Sequence, residues 1–322
     1  MMIARNLAAA AALLTAAGAW AAQPAPYPSK PVRFVVPFAP GGSQDVIARL
    51  FAQKLTESLG QQVVTDNRGG AAGLIAAELV ARAPKDGYTM LLASAAQISI
   101  APALHAKLAY NPAKDFAAVG QIVDQPMSLV VNPALPAKSV AELVAVAKGR
   151  SLNYGSTGNG SISHLTMEAF KQATGLNAVH VPYKGAAPAM IDLLAGQVQL
   201  IFTSTASAVP YTSTGKARML AVASKKRVPS LPDVPTLMEA GVRDFVSTVW
   251  IGVLLPAGTP DAVVARLNAD LMKAVAQPDL RERLGALGAE PAGSSPAEFA
   301  ALIRDDIARW ARVVKASGVR LD

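Results

Sequence analysis

Val32 to Leu50 is the stretch that most narrows the folds open to this chain. Val32-Arg33-Phe34-Val35-Val36 is dominated by β-branched and aromatic residues and reads as a buried strand. Pro37-Phe38-Ala39-Pro40-Gly41-Gly42 stops it, and Ser43 stands where a helix N-cap belongs. Val46, Ile47, Leu50, Phe51, Leu55 and Leu59 then share one face of a 3.6-residue period. A strand, a glycine loop and a helix N-terminus bring bare amides and a positive helix end to the carboxyl edge of a sheet, where an anion can be held.

The same order recurs along the chain. Val63 to Asp66 reads as a strand, Asn67 to Gly73 as a loop and Leu74 to Ala81 as a helix; the next strand, Tyr88 to Ala93, ends at Ser94-Ala95-Ala96-Gln97. A Pro-marked passage from Asn111 to Pro126 precedes a strand at Ser128 to Val131, and Ser139 with Glu142 forms a capping box. Asn153 to Ser156 leads through Thr157-Gly158-Asn159-Gly160-Ser161 into an amphipathic helix. Val179 to Tyr183 leads through Lys184-Gly185 into another, and Val198 to Phe202 ends in Thr203-Ser204-Thr205. Strands alternating with helices predict an α/β fold with a mainly parallel sheet. Two lobes are expected, residues 22–125 plus 236–322 and residues 126–235, with Val228 to Pro235 as the way back to the first. Ser295-Pro296-Ala297-Glu298 opens a long helix whose apolar face, including Leu302, Ile303, Ile307, Trp310 and Val314, is expected to dock on the first lobe.

The N-terminus carries an address. Arg5 precedes an apolar, Ala-rich run from Leu7 to Trp20, and Ala19-Trp20-Ala21 presents small residues to a signal peptidase, so residues 1–21 read as a cleaved secretory signal. No later run is continuously apolar for the ~20 residues of a membrane span. With no cysteine there is no lipoprotein signal and no disulfide, and a periplasmic destination is expected. Cleavage lowers the formal charge from +8 to +7, a balance that suits acidic small molecules. The tight basic cluster Lys225-Lys226-Arg227 has no interleaved aromatics, reads as a solvated loop, and gives no reason to expect nucleic acid.

Enzyme signatures are missing. Gly158-Asn159-Gly160-Ser161 lacks the third glycine of a dinucleotide fingerprint. The sequence has no Walker loop, no His-Glu-x-x-His and no Gly-x-Ser-x-Gly elbow. His105, His164 and His180 are scattered and read as structural, no metal-ligand spacing occurs, and neither cofactor nor metal is expected. Asp45, in the first turn of its helix, competes with an anion for the same amides or complements the helix dipole from the side.

Pro37 to Asp45 resembles the signature loop of the Bug (TctC-like) family, the extracytoplasmic solute receptors of tripartite tricarboxylate transporters. Asn67-Arg68-Gly69-Gly70, Asp86-Gly87-Tyr88-Thr89, Asn153 to Gly160, His180 to Gly185, Pro232 to Thr236 with Glu239-Ala240-Gly241, and Pro256 to Pro260 resemble its further blocks, in its order. The resemblance implies a two-lobed Venus-flytrap that pinches a ligand carboxylate between loops of both lobes. Carried over by position, the first-lobe clasp is Ala39, Gly41, Gly42, Ser43, Gln44 and Asp45 with Ser94 and Gln97. The second is Ser156, Thr157, Gly158, Asn159, Gly160 and Ser161, supported by Lys184, Gly185, Thr203 and Ser204. Where many members carry an acidic residue after Gly-Gln-Val-Asp-Leu-Met-Phe, this chain has Thr203, and its lead-in Lys148 to Leu152 is shorter than usual.

The expected function is that of a monomeric periplasmic receptor, not an enzyme, delivering a small organic carboxylate to the membrane subunits of a tripartite tricarboxylate transporter. A sensor presenting the same ligand to a signalling partner, and a secreted hydrolase using Ser156 or Ser161 with His164, are the competing readings.

Overall fold

The computed structural model describes residues 27–38, 40–41 and 43–319; the expected signal peptide, Ala39, Gly42 and the side chain of Ser43 lie outside the described residues. The first three strands are β1 (Val32–Val36), β2 (Val63–Asn67) and β3 (Thr89–Ser94), with β1 parallel to both neighbours. Helix α1 (Ser43–Leu59) follows β1, and α2 (Leu74–Ala81) follows β2 after a short 3₁₀ turn. The chain leaves β3 through a π-helical turn at Ala96–Ile100 that runs into α3 (Ala101–Leu104). Such turns are rare and gather at functional sites.

Strand β4 (Phe116–Val131) ties the molecule together. Phe116 to Pro126 pairs with β9 (Thr248–Pro256), and Met127 to Val131 pairs with β7 (Leu200–Ser204) and β8 (Arg218–Val222). The sequence pattern predicts only the last four residues as strand. The full length forms because β9 satisfies the backbone of the earlier part, with register shifts at Ala118/Gly120 and Gln121/Val123. Pro126 pairs with Thr248, the last register position before the partner changes, so its missing N–H falls at the junction.

The second half begins with α4 (Val140–Gly149), where Ser139 accepts the Glu142 amide as predicted. It continues through β5 (Leu152–Ser156), α5 (Ile162–Thr174), β6 (Ala178–Pro182), α6 (Ala186–Leu194), β7, α7 (Thr205–Thr212) and β8. Strand β5 is parallel to β6 and β7. The sheet path is β2-β1-β3-β9-β4-β7-β5-β6, with β8 and the short β10 (Glu290–Pro291) also on β4.

Two separate cores flank each half. Phe34, Ile47, Phe51 and Leu267 cover one face of the first, where α1 meets α8 (Asp261–Ala276). The other face holds Val35, Leu91 and Ala93 with Phe299, Ile303, Trp310 and Val314 of α10 (Pro296–Ser317), the docking expected of the C-terminal helix. Between α8 and β10 lies α9 (Pro278–Ala286). Gly252 makes the close approach possible: a Cβ there would collide with the Phe299 ring and sit 2.8 Å from the Gly120 carbonyl. In the second half, Leu129, Tyr154, Phe170 and Phe202 share a core with Leu237, Val242 and Phe245. Residues 236–247 therefore pack with the second half, where the sequence pattern placed them in the first lobe. Leu237 and Ser247 bond back to Val222 and Ala223, and the chain crosses only as β9 begins.

Candidate functional site

The side chains of β4 and β9 alternate across the sheet, as strand geometry requires. Gln125, Met127 and Val249 point to one side and floor a cavity of about 510 Å³ between the halves. This size suits a small-molecule site. Asp124, Pro126, Thr248 and Trp250 face a second cavity of about 860 Å³ on the other side, walled by Lys225, Lys226 and Arg312 among others. That larger space collects none of the predicted residues. Charge of both signs lines it, and burial pushes the Asp124 carboxyl up to about 6 against hydrogen bonds from Thr248 and Gln121.

The 510 Å³ cavity brings together Gln44, Ser94, Thr157, Asn159, Gly160, Ser161, Thr203 and Ser204 from widely separated segments. Three helices begin at its edge. Ser161 caps α5 by accepting the His164 amide, and Ser204 caps α7 by accepting that of Ser207. Gln44 lies in the first turn of α1. The first two residues of α5, Ile162 and Ser163, line the cavity, and amides at that position of a helix are left over by the helix's own ladder, so they are available to an anion. The Gln44 Oε1 is buried without a hydrogen-bond partner among the described residues, which leaves this amide end to a ligand.

Other predicted residues stand behind the wall. Asp45 is 3% exposed, and its carboxylate accepts from the Gly41 amide (2.9 Å), Arg49 Nε (3.0 Å) and Asn67 Nδ2 (2.9 Å). Burial pushes this carboxyl up, but those hydrogen bonds and the Arg49 charge outweigh it and hold the group below its ordinary value. Asp45 thus fastens the loop before α1 and does not line the cavity. Gln97 is buried behind Ser94, whose Oγ donates to its Oε1 at 2.6 Å. Gly158 accepts from Ser161 Oγ at 2.6 Å, shaping the turn from behind. Lys184 is exposed and absent from the lining. Gly185, with φ of 116°, starts α6 and brings Ala186 to the edge instead.

Ser156 also turns inward. It is 1% exposed and lies 2.6 Å from His180 Nε2, while His164 Nδ1 accepts the Gly160 amide at 3.1 Å. Ser156 is thus paired with His180 and not with His164, and the His180 ring stacks on that of His164 with centroids 3.8 Å apart. Burial and then His164 hold His180 down to about 4, so it is neutral at neutral pH.

The sequence pattern missed about two thirds of the cavity wall. Leu74, Ile100, Ala101 and Leu104 line it, as do Gln125, Met127 and Val249, and His105 borders it. The π-helical turn brings Ile100, Ala101 and Leu104 there and the β4–β9 crossing brings Gln125, Met127 and Val249, and neither has a local signature. No Asp, Glu, Lys or Arg lines the cavity among the described residues. No cluster of three potential metal-ligating side chains, and no helix able to cross a membrane, occurs among them either.

Two α/β halves joined by crossing strands, with a neutral cavity and helix N-termini between them, define a two-lobed solute-receptor fold. The chain belongs to the tripartite tricarboxylate transporter family receptor group, TctC, whose family model matches residues 47–319. It is similar to BugT of Bordetella pertussis, 37% identical over 298 residues that span 92% of this chain and 91% of that protein. Among solved structures it resembles R. palustris Rpa4515 with adipate, with 39% identity and a TM-score of 0.80 over 92% of this chain and 100% of that one. MatC from Rhodopseudomonas palustris with bound malate is 36% identical, with a TM-score of 0.75 over 89% of this chain and 100% of that one.

Proposed function

We propose that this receptor is exported to the periplasm by a cleaved signal at residues 1–21, closes on a small organic carboxylate, and delivers it as a monomer to transporter membrane subunits. One observation carries the reading: a cavity that no Asp or Glu lines among the described residues, at whose edge α1, α5 and α7 begin. The adipate and malate held by two similar proteins support the ligand class. In this reading the site performs no covalent chemistry, because Ser156 is buried against His180 and its Oγ has no path to a ligand.

The lobes are residues 27–126 with 248–319, and residues 127–247, so both crossings lie where β4 and β9 meet. Ligand bound between helix ends of both lobes holds them together. Thermal unfolding against a carboxylate panel tests the receptor: a ligand at a hundred times its Kd adds about 2.7 kcal/mol of stability. Shifts with sugars or cationic amines, and none with carboxylates, would overturn it. Small-angle scattering tests closure, with a smaller radius of gyration expected at saturation; an unchanged radius would rule against hinge motion.

A further inference from the structure

We infer that His164 is a positioning residue for the ligand clasp: its unprotonated Nδ1 holds the Gly160 turn in the shape that binds, so a proton on this imidazole weakens capture. This rests on the carboxylate-receptor reading and adds a dependence on pH to the same site.

The turn from Gly158 to Ser161 has two sides. Asn159, Gly160 and Ser161 line the cavity, whereas His164 does not. It sits behind them, 6% exposed, and its Nδ1 accepts the Gly160 amide at 3.1 Å. Gly160 holds a φ of 70°, a conformation that favours glycine, and this aims its amide inward. The Ser161 amide closes the same turn on the Gly158 carbonyl at 3.2 Å, and the Ser161 hydroxyl donates there at 2.6 Å. Of these three ties, only the one from Gly160 ends on a group that titrates near neutral pH.

An imidazole nitrogen accepts a hydrogen bond only while it carries no proton. Protonation at Nδ1 sets one donor against another across 3.1 Å, and the buried Gly160 amide must turn away, taking the cavity wall with it. The surroundings keep the ring neutral. His180 stacks on it with centroids 3.8 Å apart, and Tyr154 stacks on His180 at 4.9 Å. Glu168, the carboxylate that faces the pair, is already taken by the Tyr154 hydroxyl at 2.5 Å and Lys171 Nζ at 2.8 Å. Burial holds His164 below its ordinary 6.5, with Glu168 opposing and Lys171 reinforcing. A proton on His180 does less harm, because the Ser156 hydroxyl beside it can turn to the Gly158 carbonyl at 3.1 Å.

Titration calorimetry of the mature protein with adipate, malate and benzoate, at pH 7.5 and pH 5, compares the native chain with two variants. In His164→Asn the Oδ1 stands as many bonds from the backbone as Nδ1 and accepts without titrating. His164→Phe keeps a ring and loses the acceptor. At pH 7.5 the Asn variant is expected to bind like the native protein and the Phe variant about tenfold more weakly. On going to pH 5 the native protein should weaken several-fold more than the Asn variant, a comparison in which the ligand's own titration cancels. A native-to-Asn ratio that stays constant, or that moves toward tighter native binding in acid, overturns the inference, as does a Phe variant that binds like the native protein. If none of the three carboxylates binds the native protein at pH 7.5, the receptor reading falls and this inference with it. The native protein gives a second measure by NMR: the His164 ring should titrate at lower pH when saturated with whichever of the three binds than when free. An unmoved titration overturns the inference even where a variant fails to fold.

Discussion

Asp45→Ala is expected to loosen the first-lobe loop without touching the cavity wall. The carboxylate is the acceptor for three donors: the Gly41 amide, Asn67 Nδ2 and Arg49 Nε. Asn67 also donates to the Phe38 carbonyl at 3.0 Å, so one cluster pins both ends of the loop. Hydrogen bonds to a charged group are worth ~1.5–3 kcal/mol each, and the half-exposed Arg49 pair adds ~0–1 kcal/mol. Gly41 can recover water because its loop is exposed, so the net loss is about 3 kcal/mol. At roughly 2 °C per kcal/mol for a chain of this size, the melting temperature falls by about 6 °C.

The assay is urea unfolding of native and variant protein without ligand, repeated across pH. Because the folded carboxyl is held below its ordinary value of 3.8, its contribution is fully present above that value. As pH falls from 3.8 through the lower folded value, the native protein loses this advantage and the two unfolding curves converge. A variant within about 0.5 kcal/mol of the native protein at pH 7 would refute the reasoning. Unchanged stability with altered ligand preference would place the carboxylate in the cavity after all.

Asp124 should respond to pH in the opposite direction. Its folded value of about 6 lies above 3.8, so its contribution is full below 3.8 and is lost as pH rises through 6. Asp124→Asn should therefore stabilise the protein on the order of 2 kcal/mol at pH 7.5 and leave it unchanged at pH 3.5, measured by chemical denaturation; a neutral effect at both would count against it. His180, depressed from 6.5 to about 4, contributes stability that is full above 6.5 and lost as pH falls through 4. His180→Phe retains an aromatic ring in the stack and should flatten the stability profile between those values; an unchanged slope contradicts the assignment. Because Thr203 lines the cavity and no Asp or Glu does among the described residues, 4-methylpentanoate should bind more tightly than leucine in calorimetry. Tighter leucine binding would reveal an ammonium partner.

Legibility followed the range of the interactions involved. The strand at Val32, the capping residues Ser139, Ser161 and Ser295, and the helix at Leu74 are written in neighbouring residues, and each forms where its local chemistry directs. The clasp residues Gln44, Thr157 and Ser204 could be placed because strand–loop–helix units deliver their loops to one sheet edge. Asp45 and Ser156 could not be sorted from them, because a carboxylate or a hydroxyl faces a cavity or a neighbour according to partners far away in sequence. Asn67 and His180 are such partners. The first part of β4 was hidden for a related reason: only β9, more than a hundred residues later, makes a strand of it. The segment 236–247 was assigned to the wrong side because Pro-rich turns mark where a chain bends and say nothing about which core Leu237 and Phe245 enter.

The pairing of β4 with β9 has a mechanical consequence. Gln125, Met127 and Val249 floor one cavity, while their sequence neighbours Asp124, Pro126, Thr248 and Trp250 line the other. In the two-lobe reading proposed above, the two strands would serve as the fulcrum of a see-saw. If ligand draws the lobes together on one side, the charged walls on the other must swing apart, carrying Lys225 and Lys226 away from Arg312. Occupancy of the cavity is then displayed on the outside of the molecule as a change in the spacing of surface charge.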